Sequence, residues 1–220
     1  MRAVRANLAL LSILTIAACR PSETRPVSEE PAASAVEPPR SAPTMPPRDP
    51  FKPIGGIEGE NPAYDRSRRP AEIVAALDLK PGYKVADLGA GRGYLTFRLA
   101  DAVGPHGRVV ATDVDGDAVQ TLLARAAGRT GVIVRRARPD DPGLEPSTYD
   151  LVLMSEVDHF LSDRVAYLAK VKGALAPGGR IAVTHARALR APLEAAALEA
   201  GLSVVRDYDA LPNHYLLVFR

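Results

Sequence analysis

The stretch from residue 84 to 105 constrains the fold of this chain more than any other. Lys84-Val85-Ala86-Asp87-Leu88 is a short, largely apolar run ending in the turn Gly89-Ala90-Gly91-Arg92-Gly93, and residues 94–102 then read as a helix stopped at Val103-Gly104-Pro105. Strand, glycine turn and helix in succession open a Rossmann-type unit, whose small residues let the backbone approach a ligand above the strand end. The spacing narrows the choice of ligand. A dinucleotide fingerprint, G-x-G-x-x-G, counted from Gly89 would place its third glycine at Tyr94; the chain has G-x-G-x-G instead, which disfavours NAD. The turn also lacks the lysine and hydroxyl pair of a phosphate-binding P-loop.

The remainder keeps alternating. Pro70 suits the first turn of a helix over 71–77, with Ile73, Val74 and Leu77 as its apolar face and Lys80-Pro81-Gly82 as its stop. Strands are expected at 109–112, 132–134, 151–154 and 181–184, and helices at 117–127, 163–175 and 192–200, the last closed by Gly201. Strands at 202–205 and 215–219 close the chain without a helix between them. This pattern predicts an α/β fold over residues 70–220: a Rossmann-like, doubly wound, mostly parallel sheet of about seven strands, its last strand antiparallel.

The segment before the domain has a different character. Arg2 and Arg5 precede an apolar run at 8–16, too short for a comfortable membrane span, and then Ala17, Ala18 and the single cysteine, Cys19. Residues 1–18 read as a signal peptide, and Ile16-Ala17-Ala18-Cys19 resembles the lipobox of bacterial lipoproteins, which implies lipidation of Cys19. The alternatives are an ordinary secretory signal cut near Ala18, or an uncleaved anchor with Cys19 as a bystander. Residues 19–50 read as a Pro-rich disordered tether; nine of the twenty prolines lie in 20–50. Residues 51–69 are a turn-rich lead-in whose Tyr64-Asp65-Arg66-Ser67-Arg68-Arg69 either folds over the site as a lid or stays solvated. A formal net charge of +2, with no sustained Lys and Arg block, gives no support for nucleic-acid binding.

Asp87 through Gly93 resembles the acidic glycine-rich motif of class I methyltransferases, and Leu175-Ala176-Pro177-Gly178-Gly179-Arg180 resembles their turn before strand five. Lys80-Pro81-Gly82 and Val103-Gly104-Pro105-His106-Gly107 extend the likeness, which covers residues 70–220. The resemblance implies S-adenosyl-L-methionine as cofactor, held by Asp87, Gly89, Gly91 and Gly93 along its methionine and ribose parts and by Asp113 on the ribose hydroxyls. Asp115 is the alternative for the ribose, and a cap on the following helix is the alternative for Asp113. Arg138 stands where the family often has an acid for the adenine amino group, so Asp140 is expected to substitute unless Asp140 and Asp141 form only a solvated turn.

Ligands of such sheets bind beyond the carboxyl ends of the strands, which selects Ser155, Glu156, Asp158, His159, Thr184 and His185. His159 is the first candidate for a base that deprotonates the methyl acceptor and Glu156 the second; His159 capping the next helix or packing under Phe160 is the alternative. The spacing of Glu156, His159 and His185 is not diagnostic of a metal site, and none is expected. The reading is a methyltransferase acting on a small-molecule acceptor, lipid-anchored to the bacterial envelope. Arg20 after the cysteine, in place of a retention aspartate, points to the outer membrane, facing the periplasm. A non-catalytic envelope binding or scaffold lipoprotein is the alternative, favoured by a cofactor made in the cytoplasm, and a nicotinamide-dependent oxidoreductase is a third reading.

Overall fold

The computed structural model describes Ile57 and residues 59–220. The expected signal peptide, Cys19, the tether and the start of the lead-in lie outside the described residues. The strands are β1 (Lys84–Leu88), β2 (Arg108–Asp113), β3 (Val132–Arg136), β4 (Tyr149–Ser155), β5 (Leu175–Ala186), β6 (Val204–Tyr208) and β7 (His214–Phe219). The helices are α1 (Pro62–Arg68), α2 (Pro70–Ala76), α3 (Thr96–Val103), α4 (Gly116–Ala126), α5 (Arg164–Gly173) and α6 (Arg190–Glu199). All seven strands join one sheet in the order β3-β2-β1-β4-β5-β7-β6. The first five pair in parallel, and β7 runs antiparallel between β5 and β6, as the closing strand pair led one to expect.

Period-two alternation sends side chains to both faces of this sheet. Ala86, Leu88, Val152, Met154, Ile181 and Val183 pack with Leu168 and Val171 of α5 and Leu193 of α6. Their neighbours Val85, Val109, Leu151, Leu153 and Ala182 pack with Ile73 of α2 and Leu99 and Val103 of α3. Each fully buried branched side chain contributes about 1.5–3 kcal/mol, so the two-sided burial is the main source of stability. From β1 the chain proceeds outward to β2 and β3, then returns to β4 on the other side. That reversal opens a crevice at the carboxyl ends of β1 and β4, where an open α/β sheet binds its ligand.

Three elements differ from the pattern-based expectation. The lead-in contains α1, which begins with Asn61 as N-cap, its side chain accepting from the Ala63 and Tyr64 amides, and with Pro62 in the first turn. It ends at Arg69, whose φ of 50° separates α1 from α2; a residue before proline is disfavoured in the helical region. Strand β6 lies at Val204–Tyr208, beyond the expected 202–205. Leu202 instead enters the core, and β6 is an exposed edge carrying Arg206 and Asp207, so no apolar alternation marks it. Strand β5 starts at Leu175, because Tyr149 pairs with Leu175 and Leu151 with Arg180, the proline-glycine turn bulging between them. Among the described residues no helix is long and apolar enough to cross a membrane.

Candidate active site

A cavity of about 300 Å³ occupies the crevice, its wall formed by the glycine turn, the ends of β2, β4 and β5, and Tyr64 and Arg68 of α1. The turn is held from outside by β2: the Ala90 amide donates to the Thr112 carbonyl at 3.0 Å, and the Gly91 amide to Asp113 Oδ2 at 2.7 Å. Gly89 has φ +65° and a Cβ there would stand 2.2 Å from Val157 Cγ2, so only glycine leaves that wall open. Gly93 has a different task. It does not line the cavity, and a Cβ on it would meet Leu122 Cδ1 at 2.6 Å; its smallness seats the turn on α4 rather than a ligand.

Asp113 closes β2 in the cavity wall, 7 % exposed, with Oδ1 accepting the Asp115 amide at 2.9 Å. The helix cap considered for it belongs to Asp115, whose side chain accepts from Asp117 and Ala118 at the start of α4. Asp87 shares the sheet face of Val85 and so meets α3, where the Thr96 hydroxyl donates to Oδ2 at 2.7 Å. Burial, opposed by that hydrogen bond and reinforced by the charge of Asp113, raises its carboxyl to about 7. Asp140 stands apart: it is exposed and absent from the cavity wall, while its carbonyl accepts from Lys170 Nζ at 2.6 Å. The expected adenine contact at Asp140 does not fit this placement, since Ala137, Arg138 and Pro139 are the loop residues that face the cavity.

The opposite end of the cavity is built around Glu156. It directly follows β4 with φ 57°, a strained conformation for a non-glycine residue, steadied by its amide donating to the Thr184 carbonyl at 2.9 Å. Its Oε2 accepts from the Tyr64 hydroxyl at 2.8 Å and pairs with Arg68 at 2.8 Å, and its Oε1 faces His214 Nε2 at 2.8 Å. Burial opposes ionisation, but these partners outweigh it and hold the carboxyl at about 2. A carboxylate so occupied is a poor proton acceptor, so Glu156 does not fit the role of base; it organises the wall. Arg68 is 2 % exposed, lies against the rings of Tyr64 and Tyr94, and donates also to Tyr64 and Ser155. The Tyr94 hydroxyl donates to Asp65 at 2.8 Å, and Arg92 pairs with Glu60 at 3.1 Å, so residues 92–94 and the segment from Glu60 into α1 hold each other.

His159 and His185 both line the cavity and meet at 2.7 Å between His159 Nδ1 and His185 Nε2. His159 also lies against Phe160, ring centroids 3.7 Å apart, which is the packing weighed as its alternative. Sequence reasoning missed His214, although the antiparallel last strand was foreseen. Such a strand begins where its parallel neighbours end, and His214 pairs with Ala186 at the carboxyl end of β5. Among the described residues no group of three or more His, Cys, Asp or Glu side chains is placed to hold a metal ion.

Residues 86–181 match the family model of a methyltransferase domain. The chain is 34 % identical over 114 residues to nocamycin O-methyltransferase of Saccharothrix syringae, a match covering 51 % of this chain and 41 % of that one. It is 31 % identical over 128 residues to a ubiquinone/menaquinone biosynthesis C-methyltransferase of Burkholderia vietnamiensis, covering 57 % of this chain and 52 % of the relative. The chain thus spans about half the length of these curated relatives. A crystal structure of an S-adenosylmethionine-dependent methyltransferase from Aquifex aeolicus superposes with a TM-score of 0.67 at 21 % identity, covering 72 % of this chain and 93 % of that one. The fold is the Rossmann-like class I methyltransferase fold, and the cofactor implied by the domain and the fold is S-adenosyl-L-methionine. The residues present fit it: a glycine cradle that a Cβ would fill, an acid at the end of β2, and apolar Val114, Ala137 and Pro139 beyond that acid.

Proposed function

We propose that the chain carries a class I S-adenosylmethionine-dependent methyltransferase domain and methylates a small molecule. One observation carries the reading: the acid of β2 and the glycine turn of β1 are hydrogen-bonded into one wall of a cavity at the sheet's switch point. When bound, S-adenosyl-L-methionine supplies a methyl group activated by a sulfonium. Asp113, the Gly89 to Gly91 backbone and Asp87, which lines the cavity beside them, would hold the ribose and methionine parts. Tyr64 and Arg68 of α1 exclude water and position the acceptor, which is the lid role considered for the lead-in. Both curated relatives are named for small molecules. The test is incubation of the full chain with methyl-labelled cofactor and a low-molecular-mass extract. Label in a small molecule is expected; label only in protein or nucleic acid, or none, overturns the reading.

We also propose that Cys19 is lipidated and anchors the domain to the bacterial envelope, at the outer membrane facing the periplasm, with residues 19–50 as tether. Supporting it are Arg2 and Arg5, the apolar run at 8–16 and the small residues before the lone cysteine. Several acyl chains at one residue make anchoring stable, each buried methylene contributing about 0.8 kcal/mol. Labelling with an alkyne fatty acid, with membrane fractionation, is expected to mark the wild type in the outer membrane and not Cys19→Ala; equal labelling of both overturns it.

A further inference from the structure

The end of the cavity beside β4 and β5 presents donors and offers no free base. We propose that the methyl acceptor binds there as a preformed oxyanion, such as a carboxylate, with His159 as a neutral Nε2–H donor to the reacting molecule and His185 as the positioning residue that fixes this tautomer. The proposal rests on the methyltransferase reading above.

Backbone geometry sets the protons. The Ala186 amide donates to His185 Nδ1 at 2.6 Å, so the neutral His185 ring carries its proton on Nε2. That N–H points at His159 Nδ1, 2.7 Å away, which must therefore hold a lone pair. His159 is left with its proton on Nε2 and no lone pair to receive another. A base role would require both rings to exchange tautomers against the fixed Ala186 amide. Protonation is resisted as well. Asp158, Glu156 and Arg164 face His159, and burial outweighs the two acids, lowering its pKa. Burial first, and then His159, His214 and Arg68 against the favourable charge of Glu156, bring His185 to about 4.

The other groups on this wall are equally committed. Glu156 is taken up by Tyr64, Arg68 and His214. The Tyr64 hydroxyl donates to Glu156, and Ser155 Oγ accepts from Arg68. Asp158 is fully buried, pairs with Arg164 and does not line the cavity. Arg68 lines the same wall and brings a guanidinium to that end of the cavity, a group suited to an anion. An alcohol acceptor has to lose its proton as the bond to carbon forms, and this wall holds no unoccupied side-chain base to take it. An oxyanion needs none: its oxygen bonds to the methyl carbon while the carbon–sulfur bond breaks, with the electron pair left on sulfur. Charge balances, because anion and sulfonium both become neutral.

The full chain, labelled with nitrogen-15, reports the ring protons directly in long-range proton–nitrogen spectra, assigned with His159→Gln and His185→Gln. Both rings are expected as neutral Nε2–H tautomers from pH 6 to 8, and benzoate added with S-adenosylhomocysteine is expected to move the His159 Nε2 resonance. An Nδ1–H or doubly protonated His159 in that range, or no movement with benzoate, overturns the proposal. His159→Gln keeps an N–H near the Nε2 position and is expected to retain benzoate affinity within about threefold, whereas His159→Phe loses about tenfold or more; equal losses contradict a donor role. If S-adenosylhomocysteine gives no heat of binding while both tautomers stand as described, the methyltransferase reading fails and the histidine assignment survives.

Discussion

Asp113 Oδ2 accepts the Gly91 amide at 2.7 Å while its Oδ1 accepts the Asp115 amide at 2.9 Å. One carboxylate at the end of β2 therefore fixes both the glycine turn after β1 and the entry to α4. Asp113→Ala strands two partly buried donors, which costs about 1–3 kcal/mol. Urea denaturation is expected to show that loss and calorimetry a cofactor affinity at least about tenfold weaker; wild-type values in both would separate Asp113 from the site.

Gly89 and Val157 form a second coupled pair. A methyl group at Gly89 would come within 2.2 Å of Val157 Cγ2 at a φ of +65°. Gly89→Ala is expected to destabilise by about 1–3 kcal/mol through overpacking and to weaken cofactor binding. Adding Val157→Ala removes the clash but not the backbone strain, so partial recovery of stability and affinity is expected in a double-mutant cycle. Additive losses would mean the two do not share a wall.

Asp87 makes stability depend on pH in a stated direction. Its folded pKa of about 7 lies above its ordinary 3.8, so the folded chain holds a proton there that the unfolded chain has lost. The contribution is present below 3.8 and disappears as pH rises through about 7. Asp87→Asn is expected to be less stable than, or equal to, wild type at pH 4 and more stable at pH 8. A variant whose stability tracks the wild type across that range would contradict the buried, proton-retaining carboxyl.

Glu156 has the opposite sign. Its folded pKa of about 2 lies below the ordinary 4.5, so its contribution is full above 4.5 and is lost as pH falls through 2. Arg68→Met removes a buried partner of that carboxylate and is expected to cost about 3 kcal/mol and to open α1 to proteases between residues 57 and 69. Acid unfolding that sets in at the same pH with and without Arg68 would contradict the pairing.

Local chemistry made much of the domain readable before any coordinates. The run at 84–93 shows its strand and turn in consecutive residues, and the two-sided burial of β1, β4 and β5 appears as short apolar runs. The end of the cavity around Glu156 was only partly legible, because it is made of distant meetings: Tyr64 with Glu156 lies 92 residues apart in sequence, and His214 with Glu156 58. Nothing near Glu156 in the sequence announces that its oxygens are occupied. The same holds for His159, whose Nδ1 meets His185, 26 residues on in the sequence. Asp140 stands two residues from Arg138 in the sequence, but it is exposed and lies outside the cavity wall. Gly93 satisfied a spacing rule while serving the packing of Leu122. Asn61-Pro62 is a legible helix start, but α1 is seven residues long and carries little apolar periodicity.

Calorimetric titration of the full chain with S-adenosyl-L-methionine and, separately, with NAD addresses the functional reading at its root. One-site binding of S-adenosyl-L-methionine by the wild type is expected, at least about tenfold weaker in Asp113→Ala and in Gly91→Val, with no heat from NAD. A folded wild-type chain that gives heat with NAD alone, or with neither, would contradict it.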